Sequence, residues 1–282
     1  VRAVVADVPL ADVSGRRTPP DRPGRPAMSV VGATVRAMSD CPDGSAVVEL
    51  RQYTLRPGQR EVLIELFDRE LVDSQDAVGM RIIGQFRDLD DPDRFVWLRG
   101  FAAMDGRRAG LTRFYGGPVW AEHKAAANAT MIDSDNVLLL RPVTRGGGFP
   151  ALPARPAVGS PVPATLIAGT VFPLPSAGDE QEFLDFLHDH VDPLLEQPGR
   201  RSLTELRTEP AVNNFPALPV RSGEHVVVRF SAFDSPDDHA SYQHRLRDLP
   251  LWREKVRPEL DARLAGPPQR LRLRPTARSR LR

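Results

Sequence analysis

Three short patterns recur in the same order on either side of a Pro/Gly-rich stretch, and this recurrence limits the available folds more than any other feature of the chain. The first is an extended run centred on arginine, Phe95-Val-Trp-Leu-Arg99-Gly-Phe101 against His225-Val-Val-Val-Arg229-Phe-Ser231. The second is Pro-x-Trp, Pro118-Val-Trp120 against Pro250-Leu-Trp252. The third ends a strand-like run in Leu-Arg-Pro, at Leu140-Arg141-Pro142 and Leu273-Arg274-Pro275. Arginine to tryptophan spans 21 residues in one half and 23 in the other, and tryptophan to the final proline spans 22 and 23. Three anchors in register point to an internal duplication.

Each half reads β-α-β-β-α-β. In the first, 47–55 is rich in residues that suit a pleated, half-buried surface. Leu63, Leu66, Phe67 and Leu71 form the apolar stripe of a helix, and 80–86 and 95–103 are strands joined at Asp90-Asp-Pro-Asp93. A helical region over 107–131 is broken at Gly116-Gly-Pro118, and 136–142 closes the unit. The second half repeats this with strands at 165–172, 202–206, 224–233 and 269–274 and helices at 179–196 and 236–264. Two βαββαβ units are two ferredoxin-like sheets, each with helices on one face only. The bare faces need partners, so the expected fold is α+β: tandem ferredoxin-like repeats packed sheet against sheet as a pseudo-dimeric α/β barrel. That barrel closes either within a monomer or between the chains of a homodimer. Leu138, Leu140, Leu271 and Leu273 are assigned to the helix-covered face.

The expected boundaries are a disordered leader at 1–45, a first domain at 46–143 and a Pro/Gly linker at 144–164. A second domain at 165–275 and a basic tail at 276–282 follow. The linker carries five prolines and four glycines in 21 residues and reads as a semi-rigid connector. The segment 270–282 carries six arginines and no acid and reads as solvated beyond its strand. Residues 46–282 are expected to fold without the leader.

Composition excludes several classes. A formal net charge of +1 rules out a strongly basic coat for nucleic acid, and 41% hydrophobic residues rule out wholesale disorder. No apolar run is long enough to span a membrane. The single cysteine, Cys41, excludes a disulfide framework and a multi-cysteine metal site, and fits a reducing cytoplasm. Of 38 basic residues 36 are arginine, a bias of coding composition that gives any one arginine little weight by itself.

The motif Glu49-Leu-Arg-Gln-Tyr53-Thr-Leu-Arg-Pro-Gly58, with Gly84-Gln-Phe86 and Trp97-Leu-Arg99-Gly-Phe101, resembles the NIPSNAP family. Tyr115-Gly-Gly-Pro-Val-Trp120 and Asp133-Ser-Asp-Asn136 place it near a bacterial branch. The likeness covers 47–143, and the second half shares it only through the repeat. Where the family has an aromatic–acidic pair at the end of the third strand, this chain has Arg99-Gly100. The resemblance implies the dimeric α/β-barrel fold and no particular reaction.

Strand alternation places Phe95, Trp97, Arg99 and Phe101 on one face, and Glu49, Arg51 and Tyr53 on one face of the neighbouring strand. If that face lines the barrel, Arg51, Tyr53, Trp97 and Arg99 are a cationic, aromatic wall for a small anion, since arginine grips a carboxylate bidentately. The competing reading is an ion pair of Glu49 with Arg51 or Arg99 between the sheets. Tyr115 sits at the expected pocket mouth, and Tyr53 and His123 are the acid/base candidates. The second half has Thr170 and Phe172 in place of Arg51 and Tyr53, so a retained site is expected in the first. His188 and His190 lie on different helix faces, as do His239 and His244, so no local metal pattern or cofactor motif is found. The favoured function is a small-molecule binding barrel. The alternatives are a cofactor-independent monooxygenase or isomerase on a polyketide-like or lactone substrate, and an interaction scaffold. No specific nucleic-acid or membrane partner is expected.

Overall fold

The computed structural model describes residues 44–144 and 147–282; nearly all of the expected leader, with Cys41, lies outside them. The first half contributes β1 (Val47–Leu55), β2 (Arg81–Asp88), β3 (Arg94–Phe101) and β4 (Met131–Pro142). The second contributes β5 (Leu166–Leu174), β6 (Arg201–Thr208), β7 (His225–Phe233) and β8 (Gln269–Pro275). They form one closed barrel in the order β1-β3-β2-β8-β5-β7-β6-β4. Each half is a four-stranded antiparallel sheet with equivalent strand order, and the halves join at β2–β8 and β4–β6. Closure therefore occurs inside a single chain and leaves no free sheet edge.

Outside the first sheet, α1 (Arg60–Leu66) runs through a wide π turn at Phe67–Leu71 into α2 (Val72–Asp76), followed by α3 (Met104–Tyr115) and α4 (Pro118–Ala129). Proline at the first position of α4 starts that helix after the Gly116-Gly117 break. Outside the second sheet, α5 (Glu180–Phe186) passes through a π turn at Leu187–Val191 into α6 (Asp192–Leu195). Next come α7 (Pro236–Asp248), a π turn at Trp252–Val256 and α8 (Arg257–Ala262). The Ser235 hydroxyl caps α7 by accepting from the Asp238 N–H.

The assignment of sheet faces is reversed from the sequence expectation. Leu138, Leu140, Leu271 and Leu273 point into the barrel with Val48, Leu50, Val96, Leu98, Val228 and Phe230. Both faces of each sheet are buried, one by helices and one by the opposite half, so alternation separates the faces without saying which is which. Aromatic rings fill the interior over glycines: a Cβ on Gly84 would fall 2.4 Å from the Phe86 ring, and one on Gly169 2.9 Å from Phe230.

The linker and the C-terminal segment are built into this structure. Phe149 is fully buried against Phe230, with ring centroids 5.7 Å apart. Arg155 donates to Asp76 at 2.7 Å and to the Ile82 carbonyl at 2.8 Å. The expectation of a solvated tail fails: Thr276, Arg278, Ser279 and Leu281 are buried. Arg278 donates to the Asp68 carbonyl at 2.6 Å and to Asp73 at 2.8 Å, and the Leu281 N–H donates to the Ile83 carbonyl at 3.0 Å. Alternating Ser279 and Leu281 supply the anchors that a count of arginines overlooks.

Candidate functional site

The largest change between the halves lies beneath the helices. On the helix-facing side of β1 and β3 stand Glu49, Arg51, Tyr53, Trp97 and Arg99, all buried. The Glu49 carboxylate accepts from Arg51 Nη1 at 2.8 Å, Arg99 Nη2 at 2.6 Å and Arg107 Nε at 2.6 Å. Burial alone pushes this carboxyl up; the guanidiniums of Arg99, Arg51 and Arg107 outweigh it and hold it far below the carboxylate range. Arg99 also donates to Gln75 Oε1 at 3.1 Å, and Arg51 Nε to the Tyr53 hydroxyl at 3.1 Å.

A loop of the second half seals this layer. Within 209–224, Asn213 and Asn214 each accept from Arg107 Nη1 at 2.9 Å, and Asn214 donates to the Met104 carbonyl at 2.6 Å. Phe215 stacks on Tyr115 with centroids 6.1 Å apart. Tyr53, Trp97 and Tyr115 do meet around one void, but its volume is about 20 Å³, room for roughly one water. His123 is not in its wall; its Nε2 lies 3.7 Å from Glu70. Arg51, Tyr53, Trp97 and Arg99 thus face the helices rather than the barrel, and the ion-pair reading describes their geometry, at the sheet–helix interface. Trp120 packs against Phe114 and Tyr115, as a core tryptophan does.

The corresponding layer of the second half is open. The helix-facing positions of β5 and β7 include Ala168, Thr170 and Ser231, too small to fill the space that Glu49, Arg51 and Arg99 occupy at the equivalent register positions of the first. A cavity of about 290 Å³ results, walled by Phe172, Phe233, Tyr242, Trp252, Leu246 and Leu260 and by Arg200, Arg229 and Arg257. The two π turns of this half carry Val191 and Trp252 into its wall, a placement that π bulges favour at binding sites. A second chamber of about 310 Å³ shares Ala168, Thr170, His239, Gln243, Arg247 and Arg270 with it and forms its mouth.

Charge in this cavity is unbalanced. Arg229 donates to Asp192 at 2.7 Å, and its Nε lies 3.0 Å from Glu205 Oε1. Its Nη1 is buried without a hydrogen-bond partner. Arg257 pairs with Asp261 at 2.7 Å. No carboxylate of the described residues comes within ion-pair distance of Arg200, and burial lowers its pKa. His239 is buried, and burial followed by the charge of Arg272 lowers its pKa, so the imidazole is neutral at pH 7. Burial pushes Tyr242 up to about 12, keeping its hydroxyl a donor. Among the described residues no three of His, Cys, Asp and Glu gather as a metal site, and no helix is long and apolar enough to cross a membrane.

Functional side chains in the sequence do not point to this cavity, because its signal is missing volume. The signal was present at Ala168, Thr170 and Ser231, small residues at successive positions of a face that is bulky in the other half.

Eight antiparallel strands closed from two βαββαβ halves, with every helix outside, define the dimeric α/β-barrel class, here completed within one chain. Residues 48–145, within the first half, match the NIPSNAP family model. An anthrone oxidase-like protein superposes with a TM-score of 0.54 at 18% identity, over 82% of this chain and 93% of its own. A NIPSNAP-like domain protein of Burkholderia xenovorans is 26% identical over 35% of this chain and 85% of its own, with a TM-score of 0.33. A NIPSNAP family protein of Agrobacterium tumefaciens is 21% identical over 34% and 92%, with a TM-score of 0.33. No curated protein matches the chain.

Proposed function

We propose that this chain binds a small, largely apolar organic anion in the cavity between β5, β7 and β8 and the helices of the second half. The observation that carries this reading is the unpaired, buried Nη1 of Arg229 in an aromatic-walled space that also holds Arg200 without a carboxylate. A buried guanidinium N–H lacking a partner is costly, and a ligand carboxylate or enolate satisfies it with a charge-assisted bond. Phe172, Phe233 and Trp252 supply apolar area for the rest of the molecule. The site lies under the helices of the second half, whereas the sequence suggested the barrel of the first. With Cys41 the only thiol, the reading places the protein in a reducing compartment such as the cytoplasm.

The enzymatic alternative, an isomerase or cofactor-independent monooxygenase, draws support from neutral His239 in the same space. Such chemistry starts with removal of an acidic proton, which a neutral imidazole accepts while arginines hold the resulting enolate. The scaffold alternative calls for no cavity and has no comparable feature in its favour.

Native mass spectrometry of the full chain as purified tests the binding reading. A reproducible small organic mass is expected, retained by wild type and lost in Arg229→Met, with tryptophan emission shifting on removal in the variant Trp120→Phe but not in Trp252→Phe. A bare mass, with no change in emission across a panel of aromatic carboxylates, overturns it.

A further inference from the structure

The mouth of the cavity has a construction of its own. On α7, His239, Gln243 and Arg247 recur at spacings of four and share one face. On β8, Arg270 and Arg272 alternate with inward-pointing Leu271 and Leu273 and stand opposite Thr170 and Ala168 on the helix-facing side. These two stripes border the mouth, with Ala168, Gly169 and Ala240 also in its lining. Arg272 donates to Asp90 at 2.8 Å. Arg247 and Arg270 have no ion pair with any described residue. Three guanidiniums and an imidazole therefore surround an opening beside one carboxylate, while the chamber behind it is walled by aromatic and aliphatic side chains. A singly charged apolar ligand whose acid group reaches Arg229 leaves this outer cluster without a role.

Resting on the binding reading above, the geometry assigns the mouth to a phosphate group, and makes the ligand an amphiphile with a phosphorylated head at Arg247, Arg270 and Arg272 and a largely apolar body in the cavity whose inner acid oxygen reaches Arg229. Arginine forks match phosphate oxygens bidentately, and a dianion balances more of the cluster than a carboxylate does. His239 faces Gln243 and Arg247 on its own helix, Arg270 and Arg272 on β8, Asp90 in the turn after β2 and the Phe233 ring on β7. A phosphate among these groups reverses the local field and draws a proton onto the imidazole.

Isothermal titration of the full chain with octyl phosphate, octanoate and inorganic phosphate tests this. Octyl phosphate is expected to bind at least about tenfold tighter than either of the others, that factor corresponding to about 1.4 kcal/mol. The double variant Arg247→Ala, Arg270→Ala should abolish the preference, bringing octyl phosphate to the affinity that octanoate has for the same variant. Both residues are exposed and unpaired, so the fold should survive. Titration of octyl phosphate in two buffers of different ionisation enthalpy should show proton uptake that disappears in His239→Gln. Equal affinity for octyl phosphate and octanoate, or a preference that survives the double variant, overturns the phosphate assignment and leaves the cavity reading standing. Inorganic phosphate binding as tightly as octyl phosphate makes the mouth a free anion site and overturns the amphiphile. If neither alkyl anion binds, both readings fall together.

Discussion

The two halves of this barrel build the same sheet–helix layer and use it in opposite ways. In the first half the layer is filled by Glu49, three guanidiniums and Trp97, and covered by the loop 209–224 from the second half. In the second half Ala168, Thr170 and Ser231 leave room, and the first half returns only the short turn 89–93, whose Asp90 reaches as far as Arg272. Each half could be covered by the β2–β3 or β6–β7 connection of the other; only one connection is long enough to close its neighbour. Arg51, Arg99 and Arg107 in the first half converge on one carboxylate and act as structure, whereas Arg200, Arg247 and Arg270 in the second have no ion pair with a described residue and are the groups the proposed ligand would meet.

The comparison breaks most severely at Glu49. Glu49→Leu strands three buried guanidiniums without their shared carboxylate, and breaking a buried pair from one side costs about 3–5 kcal/mol. Urea unfolding at pH 7 should show that loss; a midpoint near wild type would mean that the three arginines had found water or other acceptors. The same residue gives a pH signature. Its pKa is depressed in the folded state, so its contribution is complete above the unfolded value near 4.5 and declines as pH falls through the range below it. Wild type should lose stability on acidification below about pH 4.5, and Glu49→Leu should lack that component.

Phe215→Ala attacks the cover instead of the filling. Phe215 is buried on Tyr115 in the core of the first half although it belongs to the second. Truncation of a buried phenylalanine costs about 3 kcal/mol, and here it also enlarges the void by Tyr115. Binding of a hydrophobic dye by the variant, measured against wild type, reports whether that void opens. A change below about 0.5 kcal/mol, the range of ordinary surface substitutions, would show that the loop merely lies over the helices.

How much of this was legible in the sequence follows from what each signal encodes. The βαββαβ order, the broken helix at Gly116-Gly117-Pro118 and the closed barrel follow from periodicity, turn residues and repeated anchors, although of those anchors Leu140 and Leu273 hold equivalent places while Arg99 and Arg229 are offset by two positions, Ser231 standing where Arg99 does. Which sheet face meets helices is set by tertiary packing, and when both faces are apolar the alternation of Leu138 and Leu140 with Val137 and Leu139 carries no label. The ion pairing of Glu49 with Arg51 and Arg99 was readable because cross-strand neighbours follow from register; Arg107 and the Asn213–Asn214 cover were not, because they arrive from a helix and from the other half. The tail at 276–282 looked solvated because arginine dominates it, yet Arg278 is buried through hydrogen bonds to Asp68 and Asp73, partners some 200 positions away. Absence of bulk is the hardest signal to read, since Ala168 or Ser231 alone is unremarked in any strand.

The gentlest perturbation converts the second half toward the first. Ser231 lines the large cavity from β7 on the same sheet face as Arg229, so Ser231→Leu adds a side chain into empty space rather than into packed atoms. Overpacking normally costs about 1–3 kcal/mol because neighbours must move; here the new methyl groups gain apolar contacts, and the net change should stay within about 1 kcal/mol. Ligand affinity, in contrast, should fall by at least about tenfold, equivalent to roughly 1.4 kcal/mol, because the leucine takes volume the apolar body needs. Thermal melting and titration on the same preparation separate the two effects. A stable variant that has lost binding means that small residues in this layer, and not the arginines alone, distinguish the half that binds from the half that only folds. A variant destabilised by several kcal/mol would mean that the space around Ser231 is already committed to packing, and the contrast between the halves would then rest on charge alone.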